Sequence, residues 1–337
     1  MPLLRHRLSV AALALMAILP AVPGFAAAPY RAGASIPAPD GPWDYASVDA
    51  AARRLYVARG DGVLVLDLDS GHVTPTLVPG QRVHAVLPLD GGLVLSTNGN
   101  SNTATLFNAA DGAVLAQLPT GAKPDAAVRA GARVAVMDGK QGDITLIDPA
   151  RRAVVGHIDV GGALEFAAVD KQGRLYINVE DRNDLVVVDL AGGTVLARRP
   201  LPDCDGPTGL ALDPDAGVLV SACASGRVVV TAAADGRVLA SLPIGKGADA
   251  VIFDAKNDRF LIPCGQDGVL VILGRDGAGG FAVTATIPTA KGARTGALDP
   301  VTGRVYLPVD TRLPMVAGQA PHSEPGSFRL LVLNPVG

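Results

Sequence analysis

The sequence predicts an all-β protein, a seven-bladed β-propeller with four-stranded blades. Three observations lead to this fold. One short apolar pattern recurs seven times along the 337 residues, and 40 glycines and 26 prolines are spread along the chain as turn residues would be. Beyond the first thirty residues, no segment has the 3.6-residue apolar period of an amphipathic helix. Regular repetition of short strands over the whole length is typical of a propeller.

The recurring pattern is a run of β-branched and leucine residues that usually ends in a polar residue. The seven runs end at Asp67, Asn108, Asp148, Asp189, Thr231, Leu273 and Asn334. All steps but the last are about 41 residues, which is the length of one propeller blade. The main alternative, a β-sandwich or two small β-domains, does not explain this uniform spacing.

Each repeat presents its strands in the same order. A strand of small residues such as 208–213 is followed by a turn with Asp-Pro or glycine, and then by a strand such as 174–177. The Val/Leu run comes third. The fourth strand usually ends in an apolar residue and proline, as at Val78-Pro79. Proline fits an outer edge strand, where no N–H is needed for the ladder.

The seventh repeat has no fourth strand, because the sequence ends at Gly337 soon after the third. Residues 30–41 carry Ile36-Pro37, which matches the outer-strand pattern. The N-terminal strand is therefore expected to join the C-terminal blade and close the ring, which removes an open sheet edge. The propeller spans 29–337, and the long last step predicts an insertion at about 310–327, either a lid or docking loop or a tolerated surface insertion.

Residues 1–28 have the features of a signal peptide. A basic stretch at 5–7 precedes an apolar run at 8–19, and small residues at 26–28 fit a peptidase site. The alternative is a membrane anchor, which the short run disfavours. No later segment is apolar enough to span a membrane. The protein is therefore expected in the periplasm or outside the cell, as a monomer.

The charge and the motifs of the chain exclude several classes of partner. Removing the leader leaves a net charge of about −5, and aromatic residues are only 4% of the chain, so a nucleic-acid partner is not expected. The sequence has no Cys-x-x-Cys-His for haem and no glycine-rich nucleotide motif.

Three cysteines allow one disulfide and one free thiol in an oxidising compartment: Cys204, Cys223 and Cys264. A bond between Cys204 and Cys223 is the first choice. Cys204 lies in the loop that enters the first strand of the fifth blade, Cys223 ends the second strand of that blade, and both loops open on the same rim. Cys223 and Cys264 are the rival pair, but they hold equivalent positions in adjacent blades. Equivalent strands are expected to lie too far apart for disulfide geometry.

Three segments carry a family resemblance: 206–214, 242–254 and 292–300. Through them the chain resembles the YncE-like periplasmic propellers of the YVTN-repeat group, over residues 30–337. The tetrad that gives the repeat its name is degraded here, as at 56–59 and 95–98. The resemblance implies the fold and the compartment. Members of the family have been linked to single-stranded DNA, which the acidic balance of this chain argues against.

Aligning the first strands of the repeats predicts a ring of polar residues around one mouth of the central channel. The first strand ends in aspartate in five of the repeats, and the residue five positions before that aspartate is the predicted ring residue. The two repeats that lack the aspartate are aligned with the other five. The predicted ligand-binding ring is Asp44, His84, Asp125, Glu165, Thr208, Asp249 and Arg294. The ring could line a water-filled channel, bind a ligand or carry catalysis.

The chemistry of this ring fits either a cation or an anion. Carboxylates with one imidazole suit a divalent cation such as Ca²⁺, Mg²⁺, Mn²⁺ or Zn²⁺, whereas Arg294 could pair with a carboxylate or grip an anionic ligand. Trp43, beside the ring, could stack on a ligand or pack in the core. His72, His157 and His322 lie outside the ring and are expected to be exposed.

The ends of the second strands predict a further layer at the same rim, one step outward. Its members are Arg59, Asn98, Asp138, Val179, Cys223, Cys264 and Val309.

Three functions remain open from sequence. The leading one is a binding or scaffold protein that takes a small molecule or a protein partner at the channel rim. The second is a metal-assisted, lactonase-type hydrolase, because seven-bladed relatives include lactonases. In that case Asp44, Glu165 and Asp249 would hold the ion, and His84 or Asp125 would be the base. The third is a subunit of an export or redox pathway that docks through its faces.

Overall fold

The computed structural model describes residues 29–313 and 323–336. They form seven antiparallel sheets whose innermost strands pack one against the next around a ring. The predicted seven-bladed β-propeller is confirmed. Within the described ranges no helix is long and apolar enough to cross a membrane. The proposed leader at 1–28 lies outside the described residues.

The strands follow the predicted order from the channel outward. The first two in the chain are β1 (Tyr30–Ala32) and β2 (Ile36–Pro37), which belong to the last blade. Blade 1 holds β3 (Trp43–Asp49), β4 (Arg54–Arg59), β5 (Gly62–Asp67) and β6 (Val73–Pro79); blade 2 holds β7 (Val83–Pro88), β8 (Leu93–Asn98), β9 (Thr103–Asn108) and β10 (Val114–Pro119). Blade 3 holds β11 (Pro124–Ala130), β12 (Arg133–Asp138), β13 (Asp143–Asp148) and β14 (Ala153–Asp159); blade 4 holds β15 (Leu164–Val169), β16 (Arg174–Val179), β17 (Asp184–Asp189) and β18 (Thr194–Pro200). Blade 5 holds β19 (Pro207–Asp213), β20 (Val218–Cys223), β21 (Arg227–Ala232) and β22 (Val238–Pro243); blade 6 holds β23 (Ile252–Asp254), β24 (Arg259–Cys264), β25 (Val269–Arg275) and β26 (Phe281–Pro288); blade 7 holds β27 (Ala297–Leu298), β28 (Val305–Val309) and β29 (Arg329–Pro335).

The hydrophobic core lies between the blades. The middle strands of each blade carry Val, Leu, Ile and Tyr side chains on both faces, and these pack against the facing strands of the next blade. Buried on both faces, such strands read as continuous apolar runs, which explains why the repeat is visible in the sequence.

The N-terminal segment closes the ring, as predicted. Both β1 and β2 pair with β29, so they complete the blade that the C-terminus begins. Tyr30 is buried, with 2% of its surface exposed, and its hydroxyl accepts a hydrogen bond of 3.0 Å from Arg259 of blade 6. On the turns that join the first and second strands, Arg53 of blade 1 donates two bonds to Asp299 of blade 7, at 2.7 and 2.9 Å. Closure therefore rests on strand pairing and on side chains from both neighbouring blades.

The base of the predicted insertion is well defined, although 314–322 lie outside the described residues. Arg312 pairs with Ser323 as an isolated β-bridge, and the Arg312 guanidinium lies 2.9 Å from Asp310. The Ser323 hydroxyl donates to the other oxygen of Asp310. Arg312 lines the same small cavity as Asp44, so the insertion starts at the rim that carries the ring.

Removing the anchor of the closing strand should destabilise the whole propeller. We expect Tyr30→Ala to lower the free energy of unfolding by about 3 kcal/mol, since it removes a buried aromatic side chain. Urea denaturation followed by circular dichroism measures the change. Arg31→Ala is the matched control, because Arg31 sits in the same strand with its side chain exposed. Equal stability of the two variants would show that ring closure does not depend on Tyr30.

Candidate functional site

A β-bulge in the innermost strand sets the position of the ring residues. In blade 1, Trp43 pairs with Arg59 and Ala46 with Val57, so Asp44 and Tyr45 lie opposite Ala58 alone. The same register shift occurs in blades 2 to 5 at the positions of His84, Asp125, Glu165 and Thr208. In blade 6 the bulge falls between Ala248 and Ile252 and contains Asp249. A bulge re-aims side chains and leaves backbone groups unpaired.

Side chains from the preceding blade satisfy the backbone carbonyls that the bulges leave free. Thr295 donates 2.8 Å to the carbonyl of Asp44, and Thr97 donates 2.7 Å to the carbonyl of Asp125. Asn178 donates to the carbonyls of Thr208 and Gly209, at 3.2 and 3.0 Å. The bulges are therefore held by contacts that run from blade to blade around the ring.

Thr208 belongs to this set of holding contacts. It is buried, with 6% of its surface exposed, and its hydroxyl donates 2.8 Å to the carbonyl of Ala248 in blade 6. Its place in the ring is the predicted one, but its hydroxyl is used in a bond between blades. Six ring residues then remain whose side chains carry a carboxyl, guanidinium or imidazole group.

Three of these side chains form one group on the blade 1 to blade 3 side. The His84 Nδ1 atom lies 2.6 Å from Asp44 Oδ2 and 3.8 Å from Asp125 Oδ1. The three residues each bring a ligand atom within 4.8 Å of the others. If Nδ1–H donates to Asp44, Nε2 is left to accept a proton. The group can thus act as a carboxylate-oriented base or hold a cation.

A second group, on the blade 6 to blade 7 side of the ring, adjoins the first. Arg294 Nε lies 2.8 Å from Asp249, and the same guanidinium reaches to 4.0 Å from Asp44. The metal-ligand set expected from sequence was Asp44, Glu165 and Asp249. The structure instead brings Asp44 together with His84 and Asp125, while Asp249 is paired with arginine.

Lys123 is a cation beside the ring that the sequence alignment missed. Its Nζ lies 3.3 Å from Asp125 Oδ2, at the mouth of the channel. Lys123 adopts a left-handed backbone conformation, with φ of 56°, at the entry to the inner strand. The alignment considered one position in each repeat, so a cation two residues earlier lay outside it.

Burial raises the pKa values of the ring carboxyls. Desolvation raises the pKa of Glu165 to about 9, and the charges of Asp125, Asp249 and Glu180 add to the increase. The pKa of Asp249 rises to about 6 through desolvation and the charge of Asp44, against the opposing effect of Arg294. Desolvation also raises the pKa of Asp125. Glu165 makes no hydrogen bond or ion pair with any described residue, so nothing in the described structure offsets its desolvation.

Two aromatic rings close the channel beneath the polar ring. Tyr45 of blade 1 meets Phe166 of blade 4 edge to face, with ring centroids 5.0 Å apart. Their backbone neighbours Asp44 and Glu165 therefore lie across the channel from each other. Desolvation and then the charges of the four ring carboxyls raise the pKa of Tyr45 well above its usual value. Below the contact, a largely apolar cavity of about 390 Å³ opens toward the other face.

Arginines surround a small cavity on the blade 7 to blade 2 side of the mouth. This cavity, of about 240 Å³, is lined by Trp43, Asp44, Arg82, Arg294 and Arg312 among others. Trp43 is buried against Phe328, with ring centroids 5.4 Å apart, while the guanidiniums of Arg294 and Arg312 lie 5.7 and 5.3 Å from its ring. Trp43 thus supports the arginines from the core.

The further layer expected at the rim is buried inside the blades. Its seven residues end the second strands of the seven blades, at the end of each blade that carries the ring. Each of the seven is at most 4% exposed. Cys223 of this layer is bonded to Cys204, with Cα atoms 5.4 Å apart, and Cys264 is a buried free thiol. These residues shape the blade ends and do not face the channel mouth.

Comparison with known proteins supports the fold alone. No family model and no curated protein matches the chain. Among solved structures, a chain of the "Crystal Structure of Mitotic Checkpoint Complex" aligns with a TM-score of 0.74 and 16% identity, covering 98% of both chains. "Crystal structure of RRP9 WD40 repeats" gives 0.74 and 13% over 91% of this chain and 100% of that one. "Streptogramin B lyase structure" gives 0.72 and 12% over 91% and 98%. These similarities place the chain among seven-bladed, WD40-like propellers.

The buried acid Glu165 gives a pH-dependence that can be measured. Below pH about 4.5 Glu165 is protonated in both the folded and the unfolded state. Between about 4.5 and about 9 only the folded state keeps the proton, so a rise in pH lowers stability. We expect Glu165→Gln to be more stable than the parent by at least about 1.4 kcal/mol at pH 8, and to lose this advantage at pH 4.5.

Glu324→Gln is the matched control for that measurement. Glu324 is exposed, and its charge is not among the causes that raise the pKa of Glu165. Its substitution should leave the pH profile of urea unfolding unchanged. A Glu165→Gln advantage that is constant with pH would contradict the assignment of a raised pKa to Glu165.

Proposed function

We propose that this protein is an exported, YncE-like propeller that binds a small zwitterionic solute, such as an amino acid or a short peptide, at the polar channel mouth. The observation that carries this proposal is the placement of unpaired acidic and basic groups on opposite sides of the mouth. Glu165 and Glu180 lie on the blade 4 side, where Asp125 is already paired with Lys123. Arg82 lies on the blade 7 to blade 2 side, in the cavity that Arg294 and Arg312 also line.

The odd number of blades places the two sides across from each other. In a ring of seven, blade 4 faces the junction between blades 7 and 1, and the contact of Tyr45 with Phe166 spans this diameter. A ligand amine on the acidic side and a ligand carboxylate on the arginine side would therefore both be satisfied. The aromatic contact forms the floor on which such a ligand would rest.

Three groups at the mouth lack a partner of opposite charge among the described residues. Glu165, Glu180 and Arg82 make no ion pair, whereas Arg294 and Arg312 pair with Asp249 and Asp310. An ammonium group beside Glu165 would favour its ionised form, and a carboxylate beside Arg82 would form a charge-assisted hydrogen bond. Ligand binding would complete the electrostatics of the mouth.

The location is part of the proposal. The basic, apolar and small-residue segments at 1–28 support export, and the disulfide between Cys204 and Cys223 suits an oxidising compartment. The YncE-like resemblance of segments 206–214, 242–254 and 292–300 agrees with a periplasmic binding protein. A protein partner that presents a charged chain end would use the same contacts.

A thermal-shift screen tests the zwitterion proposal. Free amino acids and dipeptides should raise the melting temperature, because they bind only the folded state. Their N-acetylated and C-amidated analogues should give less than half of the shift, because each lacks one charge. Glu165→Gln and Arg82→Ala should each weaken binding at least tenfold.

The control variant is Lys171→Ala, in an exposed turn that lies between the first and second strands of blade 4, away from the ring end. It should keep the full shift. The proposal fails if charged and blocked analogues stabilise the protein equally, or if none of the amino acids and dipeptides has an effect.

The group of Asp44, His84 and Asp125 favours a second candidate function, metal-assisted hydrolysis of a lactone or ester. The two carboxylates would hold a divalent ion, which would polarise the substrate carbonyl. His84, oriented at 2.6 Å by Asp44, would take a proton from the attacking water. Asp44, His84 and Asp125 fit this chemistry better than the set predicted from sequence, because Asp249 of that set is paired with Arg294.

Hydrolysis of simple γ- and δ-lactones in the presence of Ca²⁺, Mn²⁺ or Zn²⁺ tests this candidate. We expect an activity that a chelator abolishes and that falls at least a hundredfold in His84→Asn, because the base is lost. Lys171→Ala, away from the ring end, should retain the activity. Turnover that is the same in the His84→Asn variant, or none with any of the three ions, would exclude this candidate.

A further inference from the structure

Three strands of blade 3 bring two aspartates and a histidine together, away from the ring residues. Asp138 ends β12 and pairs in register with Asp143, the first residue of β13. His157 lies on β14 opposite Thr145. Each of Asp138, Asp143 and His157 offers a ligand atom within 4.8 Å of the other two. Adjacent positions on three paired strands thus form one cluster.

The two carboxylates are buried without a compensating cation. Asp138 is 0% exposed and Asp143 is 8% exposed. Each has one oxygen, Oδ1, that is buried and makes no hydrogen bond. The nearest ionisable base is His157, whose Nδ1 lies 3.6 Å from Asp143 Oδ2. In the described parts of the chain no lysine or arginine forms an ion pair with either aspartate. Unpartnered buried carboxylate oxygens are costly, so such a cluster calls for a cation.

Their ionisation behaviour agrees with this reading. Burial raises the pKa of Asp138 to about 7, and the charge of Asp143 adds to the increase, although the Thr145 hydroxyl donates 2.6 Å to the other oxygen of Asp138. Burial also raises the pKa of Asp143. A metal ion would relieve both carboxylates.

At the same register positions the neighbouring blades carry different charges, although Asn98 Oδ1 in blade 2 and Asp184 Oδ1 in blade 4 are also buried without a hydrogen bond. In blade 2, Asn98 replaces Asp138, and its amide donates 2.9 Å to Thr105 and 3.3 Å to Thr103. In blade 4, Val179 replaces Asp138, and Asp184, which replaces Asp143, pairs with Arg198 at 3.4 Å. Arg198 stands where blade 3 has His157. Blade 2 is neutral and blade 4 supplies its own cation, whereas blade 3 has two carboxylates and an imidazole.

A glycine packs closely against the two carboxylates. A Cβ atom at Gly121 would lie 2.5 Å from Asp143 Oδ1 and 2.8 Å from Asp138 Cγ. A larger residue at this position would therefore collide with the cluster. The His157 side chain is 54% exposed, so an ion and its water ligands can reach the cluster from solvent.

We propose that Asp138, Asp143 and His157 form a binding site for a first-row divalent metal ion of the Zn²⁺ or Mn²⁺ type. Two carboxylate oxygens and one imidazole nitrogen are a donor set that these ions accept, and the imidazole disfavours Ca²⁺ and Mg²⁺. Water completes the coordination on the exposed side. The ion ties together β12, β13 and β14, and it is independent of any ligand at the channel mouth.

Metal titration of the chelator-treated, full-length protein tests the site. Zn²⁺ binding is measured by calorimetry, and Co²⁺ serves as a spectroscopic probe through its visible absorption. The measurements use the His84→Asn background, because Asp44, His84 and Asp125 could bind the same ions. We expect one equivalent of Zn²⁺, with affinity at least tenfold weaker after Asp143→Asn and after His157→Arg.

The His157→Arg substitution keeps the test valid if the aspartate variant does not fold. It copies the ion pair of blade 4, so it should fold and be more stable than its parent in the absence of metal. Asp184→Asn in blade 4 is the matched control and should leave Zn²⁺ binding unchanged. The proposal is overturned if the His84→Asn protein binds no Zn²⁺ or Co²⁺. It is equally overturned if His157→Arg, folded by circular dichroism, binds both ions as its parent does.

Discussion

The bulge in the innermost strand is the constraint on which the ring and its chemistry depend. It places two residues opposite one, which turns Asp44 or Glu165 toward the mouth and the following aromatic residue into the channel. The backbone carbonyls freed by the bulge would be costly if left without donors in a buried position. Thr97, Asn178 and Thr295 supply those donors from the neighbouring blade. The site is thus held by the assembly of the ring and not by any blade alone.

Because the aromatic contact closes the channel, the polar mouth is a shallow, partly desolvated depression. Desolvation is the first cause of the raised pKa values of Asp125, Glu165 and Asp249, ahead of the mutual repulsion of their charges. His84, Lys123 and Arg294 offset part of the negative charge. The result is a mouth of mixed sign in which the unpaired groups lie on opposite sides. Such a mouth discriminates ligands by the placement of charge.

The repeat in the sequence was sufficient to predict the number of blades, the strand order and closure by the N-terminal segment. These follow from apolar periodicity and turn residues, which act locally. The alignment also put Asp44, His84 and Asp125 at equivalent positions, and the structure brings them together. It could not foresee that Asp249 pairs with Arg294, that Thr208 donates to the next blade, or that Lys123 joins the mouth. Those contacts depend on side-chain directions set by the bulge and by adjacent blades, which a one-dimensional period does not contain.

The cluster in blade 3 is a feature that the other blades do not share. Aligning the repeats by what they share led to the ring, and His157 was predicted only to be an exposed side chain outside it. In a propeller, however, the residues that all blades share build the scaffold. Chemistry specific to one blade is therefore found at positions where that blade differs from the others. Asp138, Asp143 and His157 replace a neutral hydrogen-bonded set in blade 2 and an ion pair in blade 4. What distinguishes blade 3 is that two buried carboxylates and an imidazole lie within 4.8 Å of one another, with no lysine or arginine paired to either carboxylate in the described residues, and the proposed metal site rests on this arrangement.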